Sequence, residues 1–362
     1  MGDGVADDTQ AIKTMLASVH RSAGTVPFAV ELGPYTYKLT ATIDVAYRNV
    51  AFIGHGIGNP VNYPASPGRG STFRWDGPAG IPMIRLVDCL HVAFERIFFQ
   101  GNSDPAKRPS DLIFSVGGGS VGINAHLNVR KCRFGSLFWT SPPTPEGTPA
   151  ADNGIRYDGV NANNDRMFLD DVDMWDLNVG LALPNTQSVW GSCQNTIFAN
   201  CGVGVKTSAS HTMFNVNFGG CKKDIEVSST ARVTVNGWGS ENSALIADIR
   251  DSGGSLTVVG GAWLLMNSLT GPNFLRHANL GDSTSLSLTG VSVINSAGFS
   301  PKPKLFARRA SAGGPGQLMV QSCPGITAKS DFDVVGAAGG IHLDVSSLGL
   351  IINRVLGPGE VP

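Results

Sequence analysis

Between residues 92 and 293 one short pattern keeps returning: apolar-x-apolar, a two-residue bend, then apolar-x-apolar. It reads Val92-x-Phe94, bend, Ile97-x-Phe99. It recurs as Leu127-x-Val129, bend, Cys132-x-Phe134, and as Met167-x-Leu169, bend, Val172-x-Met174. Later copies carry Thr196-x-Phe198, Val216-x-Phe218, Trp238-x-Ser240, Gly261-x-Trp263 and Val291-x-Val293. From position 97 the steps between equivalent residues are 35, 40, 24, 20, 22, 23 and 30. A period near 22 with occasional insertions suits neither a sandwich nor a helical bundle. It suits a solenoid in which each turn adds one strand to each of several parallel sheets, with rungs ~4.8 Å apart. A second apolar pair, Val179-Gly180-Leu181 and Val203-Gly204-Val205, repeats at the same offset of 24.

The bend supports this reading. Asp171, Asn195 and Asn215 fall at one equivalent position. Asn and Asp tolerate left-handed backbone and bond neighbouring amides, as stacked sharp corners require. Ahead of the repeat, Ile12, Met15, Leu16 and Val19 mark one apolar helical face, with Asp7 and Asp8 at its start and Gly24 as its stop.

Composition narrows the function. Charged residues make up only 15% and the net charge is -1, so no basic face exists to neutralise nucleic-acid phosphates. No apolar run approaches the ~18 residues of a membrane span. The start, Met1-Gly2-Asp3-Gly4, lacks the basic-then-apolar pattern of a signal peptide. Six cysteines lie at 89, 132, 193, 201, 221 and 323, without a Cys-x-x-Cys pair. Cys132 falls on an inward strand position, and Cys201 and Cys221 share one position in successive turns. They read as buried thiols packed like small apolar residues; stacking of the last two leaves a disulfide open. Neither a metal nor a cofactor is expected.

The opening Gly2-Asp3-Gly4-Val5-Ala6-Asp7-Asp8-Thr9-Gln10-Ala11-Ile12 resembles the entry motif of the pectin-lyase-like superfamily, Gly-Asp-Gly-x-x-Asp-Asp-Thr-x-Ala-Ile. That superfamily includes polygalacturonases, pectate-lyase-3-type proteins and phage tailspike depolymerases. The resemblance implies an all-β, right-handed parallel β-helix (solenoid) with an N-terminal capping helix. It divides the chain into a capping segment at 1–27, the β-helix at 28–330 and a C-terminal cap or tail at 331–362. A short strand usually precedes the motif, which implies a natural protein extending further at its N-terminus. The polygalacturonase signature itself is absent: its paired aspartates would fall on Asp176 and Leu177, Asn200-Cys201-Gly202 lacks the expected His, and His55 comes several turns too early. The resemblance therefore points to a tailspike or pectate-lyase-3-type protein. It implies a polysaccharide substrate, a homotrimer and an extracellular or virion-surface location. A non-catalytic carbohydrate-binding or virion structural β-helix stays open, as does a secreted lyase, epimerase or glycosyl transferase.

Three long, Gly/Pro-rich polar stretches, 55–82, 101–122 and 135–165, read as loop insertions. The last two leave the same corner and would wall a groove. Its floor would be the acidic strand Asp170-Asp171-Val172-Asp173-Met174-Trp175-Asp176. With Val172 and Met174 inward, Asp173 and Trp175 point outward. Glycoside hydrolysis needs two carboxylates, and an exposed indole offers a face to a pyranose. Asp173 and Asp176 are thus the candidate catalytic pair and Trp175 the sugar platform. Arg156 and Tyr157, with Asp158 and Asp165, are placed to fold over them as substrate contacts. Glu241 is a further catalytic candidate, three turns on. The plainer alternatives are that Asp170 and Asp171 serve the bend, Asp173 and Glu241 are solvated, and the insertion residues are only loop polarity. His211 is isolated and reads as a surface or satisfied residue.

Overall fold

The computed structural model describes residues 2–23, 27–46, 49–57, 70–116, 126–136, 148–158, 165–186, 188, 190–241, 243, 245–250, 253–265, 278–281, 283–295, 307–308, 316–324, 341–347 and 350–356. The chain is a right-handed parallel β-helix with one N-terminal helix, and it divides into two compact units, Met1–Gly202 and Val203–Pro362.

In the first unit each turn carries three strands. The first strands are Phe28–Glu31, Asn49–Ile53, His91–Glu95, Leu127–Arg130, Phe168–Asp170 and Gly191–Gln194, each parallel to the next. The second strands run from Thr36–Leu39 through Ser71–Trp75, Ile97–Gln100, Arg133–Gly135 and Asp173–Trp175 to Ile197–Ala199. The third strands are Ile43–Val45, Ile84–Val87, Asp111–Val116, Asn153–Asp158 and Val179–Leu183. The register read from the repeat holds: Phe99 pairs with Phe134, Phe134 with Met174, and Met174 with Phe198.

One expectation needs correction. The stretches 55–82, 101–122 and 135–165 are not continuous loops. Each contains a strand of the coil: Ser71–Trp75, Asp111–Val116 and Asn153–Asp158. Short strands buried on their inner side keep their own alternation, which the surrounding Gly and Pro obscure. The remainders at 58–69, 117–125, 137–147 and 159–164 lie outside the described residues.

The core follows from the inward positions. Phe52 stacks on Phe94 and Phe99 on Phe134, with centroids 5.1 and 4.7 Å apart. Offset stacking of like rings one rung apart adds to the ~25 cal/mol per Å² gained from apolar burial. All six cysteines are buried and none is disulfide-bonded. Burial pushes the Cys132 thiol up to about 12, so it packs as an apolar residue.

Bends separate the first and second strands at Arg96, Lys131, Asp171 and Asn195, all left-handed with φ between 51° and 58°. Asp171 and Asn195 were legible as such residues; Arg96 and Lys131 carry the same strain of ~1–2 kcal/mol without an Asx side chain.

At the N-terminus the entry motif does two jobs. Asp3–Asp7 is itself a strand beside Thr36–Leu39. Asp7 accepts the Thr9 amide at 3.0 Å, capping helix Thr9–Ala23, while buried Asp8 accepts the amides of Gly2 and Lys38. Ile12 and Leu16 are buried on the inner side of the helix.

In the second unit, first and second strands fuse. His211–Gly219, Arg232–Glu241, Ser255–Leu265 and Ser285–Asn295 run through the bend as single parallel strands, pairing Val216 with Trp238, Trp238 with Gly261 and Gly261 with Val291. Gly316–Gln321 and Ile341–Ser347 add parallel rungs, and Leu350–Leu356 returns antiparallel.

Candidate functional site

The strand Asp173–Trp175 buries Met174 and turns Asp173 and Trp175 outward, both half-buried. The chain then turns at Asp176, whose φ of 54° is left-handed. Two donors hold the Asp176 carboxylate: the Ser136 hydroxyl on one oxygen and the Asn200 amide on the other, at 3.2 Å. Asn200 is the same corner one turn later, again left-handed. The carboxylate is therefore fixed from the turns on both sides of it.

One rung before Asp173, in register with it, stands Arg133. It lies on the outward row, yet it is only 2% exposed. Its guanidinium covers the Trp175 ring at 4.1 Å and the Phe98 ring at 5.6 Å. Stacking of this kind is favourable when desolvated. Among the described residues its Nε and Nη2 have no hydrogen-bond partner. A buried N–H without an acceptor is costly, so this guanidinium is ready to take an oxygen. The backbone here tolerates no crowding: a Cβ on Gly135, beside Arg133, would collide with the Trp175 carbonyl oxygen.

The electrostatics follow. Burial pushes the Asp173 carboxyl above the usual carboxylate range, opposed by the positive charge of Arg133. Burial also raises Asp176, opposed first by its bonds from Ser136 and Asn200 and then by Arg133. In turn, burial lowers Arg133 and the two aspartates counter that. Two carboxyls with different partners around one cation are suited to divide acid and base roles.

The other candidates sit elsewhere. Arg156 and Tyr157 lie on the third strand of the preceding turn. Arg156 pairs with buried Asp111 at 3.2 Å and stacks over Phe114. Tyr157 takes an inward position, 1% exposed, and donates to the Asp165 carbonyl. Tyr157 is thus a core residue rather than the expected substrate contact, committed inward by a strand alternation hidden in an apparent loop, while Arg156 is a partly exposed member of an ion pair. Glu241 is the exposed last residue of its strand in the second unit. Its neighbour Trp238 is fully buried. His211 is buried too, which lowers it to about 4. Among the described residues no three His, Cys, Asp or Glu side chains gather as a metal site.

Arg133, and the Asp176 partners Ser136 and Asn200, are the residues that sequence reasoning missed. The aligned 132–134 and 172–174 copies already set Arg133 against Asp173.

No family model and no curated protein sequence matches the chain. Among solved structures it is similar to DFA-IIIase from Arthrobacter chlorophenolicus A6 in complex with GF2, at 14% identity over 96% of this chain and 90% of that one, with a TM-score of 0.53. It is similar to the catalytic unit of the thermostable GH87 alpha-1,3-glucanase from Streptomyces thermodiastaticus strain HF3-3, at 11% identity over 96% and 67%, TM-score 0.48. It is also similar to the Dettilon tailspike protein, at 12% identity over 96% and 66%, TM-score 0.47. At such identities the likeness is one of architecture, and it agrees with the strand order above: the chain has the right-handed parallel β-helix fold.

Proposed function

We propose that this protein binds and cuts a polysaccharide, with Asp173 and Asp176 as the acid–base pair, Arg133 as the anchor for a substrate oxygen and Trp175 as the sugar platform. The observation that carries the reading is the buried, unsaturated Arg133 guanidinium set beside two outward carboxyls whose pKa values burial raises. Names of similar solved structures, among them a glucanase and a tailspike, accord with a glycan substrate; the fold alone does not supply the reaction.

The environments assign the roles. Asp176 accepts two hydrogen bonds, which favour its ionised form. Asp173 has its burial opposed chiefly by the Arg133 charge rather than by hydrogen bonds, and we assign it the acid role. In hydrolysis Asp173 gives its proton to the glycosidic oxygen as the C–O bond breaks. Asp176, as the carboxylate, either takes a proton from the attacking water, whose hydroxyl ends on the anomeric carbon, or bonds that carbon itself until a water deprotonated by Asp173 displaces it. Arg133 covers the Trp175 ring, so a sugar on Trp175 sits next to that cation. An unpartnered guanidinium also suits a uronate carboxylate, which favours β-elimination as the second reading. The setting that follows is extracellular or on a virion, with a homotrimer adding avidity.

The test is incubation with a panel of capsular and plant polysaccharides, followed by product mass analysis. Hydrolysis adds one water per cut; elimination leaves an unsaturated end. Cutting that disappears in the Asp173→Asn/Asp176→Asn double variant supports the assignment. Cutting that survives in it at full rate overturns it.

A further inference from the structure

A second site lies on the first-strand face of the same unit, and no residue of the carboxylate site belongs to it. A groove of about 830 Å³ runs along that face. Its floor is one outward column in register: Ala29, Ala51, Ala93, Asn128, Phe168 and Ser192. Three stacked alanines leave a trough where larger side chains would fill it. Six rungs make it ~24 Å long.

One wall is built by the corner that leads into these strands. His91, His126, Arg166 and Trp190 occupy it, each two residues ahead of the floor column. His126, Arg166 and Trp190 are left-handed, all with φ of 61°. Arg96 and Lys131 make the plain bends of the next corner in the same conformation, so what marks this one is the side chains gathered on it. The imidazoles of His91 and His126 lie 4.4 Å apart, and Arg166 covers Trp190 at 5.5 Å. Trp190 is 70% exposed, the largest exposed aromatic surface among the described residues. Among the described residues the lining holds Arg166 and two histidines and no carboxylate. Asp165 acts electrostatically on His126 but does not line the groove.

The geometry points to this trough as a binding site for an acidic glycan: several sugar residues along the floor, one ring on Trp190, and its carboxylate or sulfate on Arg166. A ring face and an adjacent guanidinium together recognise an anionic pyranose, and a neutral one only in part. The inference does not depend on cleavage. A long chain held here would stay tethered to the protein whether or not the aspartates cut it.

The test uses the non-cutting Asp173→Asn/Asp176→Asn protein on an array of uronate-, sialate- and sulfate-bearing oligosaccharides with their neutral counterparts. Acidic chains are expected to bind above neutral ones, less so at high salt. Trp190→Ala and Arg166→Gln, both at exposed positions, are each expected to weaken binding on the order of tenfold. The proposal is overturned if no acidic chain binds, if neutral chains bind equally, or if both variants bind as the parent does. It is also overturned if Trp190→Ala instead dissociates an oligomer and leaves glycan binding unchanged, since the face is then an interface between copies. Loss of cutting in the parent assay would not touch it.

Discussion

The two units repeat one backbone plan and differ in what they turn outward. In the first, the outward column of the second strands reads Phe98, Arg133, Asp173, and the next reads Gln100, Gly135, Trp175. In the second, the matching columns read Gly239, Ala262, Ser292 and Glu241, Leu264, Ile294. Apart from Glu241, these are small and aliphatic residues in register, which serve the sheet's own pairing. The second unit also buries acids, but it closes them: Lys223 reaches Glu226 at 2.9 Å and Asp248 at 2.7 Å, and Arg250 reaches the same two. Arg133 in the first unit has no such closure among the described residues. Buried acids met by two cations read as scaffold, and a buried cation that meets no acceptor reads as a site.

The largest effect that separates the units is on activity. Asp173→Asn and Asp176→Asn should each lower kcat/KM by roughly 10²–10⁴-fold, while Glu241→Gln stays within about twofold. Equal losses in all three would erase the distinction. Next comes stability. Trp238 is fully buried between Phe218 and Trp263, and Trp238→Ala should cost ~3–5 kcal/mol in denaturant unfolding. A surface site such as Trp190→Ala should cost less than ~1 kcal/mol.

A third difference is pH dependence. Asp224 in the second unit is fully buried, which raises its pKa from 3.8 to about 7 despite a bond from Ser240. A raised carboxyl contributes stability that is complete below its unfolded pKa and lost as pH rises through the folded one. The protein should therefore lose up to a few kcal/mol between pH 4 and pH 7 from this group. Asp224→Asn should remove that slope; unchanged unfolding curves from pH 4 to 8 would contradict it. The smallest effect concerns the bends. Gly237, Gly260 and Gly290 make them in the second unit, with φ of 76°, 69° and 66°. Gly260→Lys should cost ~1–2 kcal/mol from backbone strain alone, because nothing crowds a Cβ there. Lys131→Gly, which relieves one strain and adds chain entropy, should change stability by less than about 0.5 kcal/mol.

The repeat made much of this legible. Inward Phe99, Phe134, Met174 and Phe198, and the bend residues Asp171, Asn195 and Asn215, stand where the spacing puts them. Periodicity reads core positions well because burial enforces them at every turn. The third strands were harder. Asp111–Val116 and Asn153–Asp158 are single short strands set among Gly and Pro, so Tyr157 passed for a loop residue. Arg133 stands in plain register with Asp173, but its role comes from burial between Phe98 and Trp175, which a strand pattern does not encode for an outward position. Ser136 and Asn200 bind Asp176 from other turns, at distances along the chain that no local motif encodes.

The most direct measurement is a structure of the Asp176→Asn protein holding an uncut oligosaccharide of whichever polysaccharide the panel identifies. A sugar ring against Trp175 is predicted, with an oxygen of the chain on the Arg133 guanidinium and the glycosidic oxygen within hydrogen-bond reach of Asp173. A chain bound only across the second unit near Glu241, with Arg133 still without an acceptor, would contradict the account.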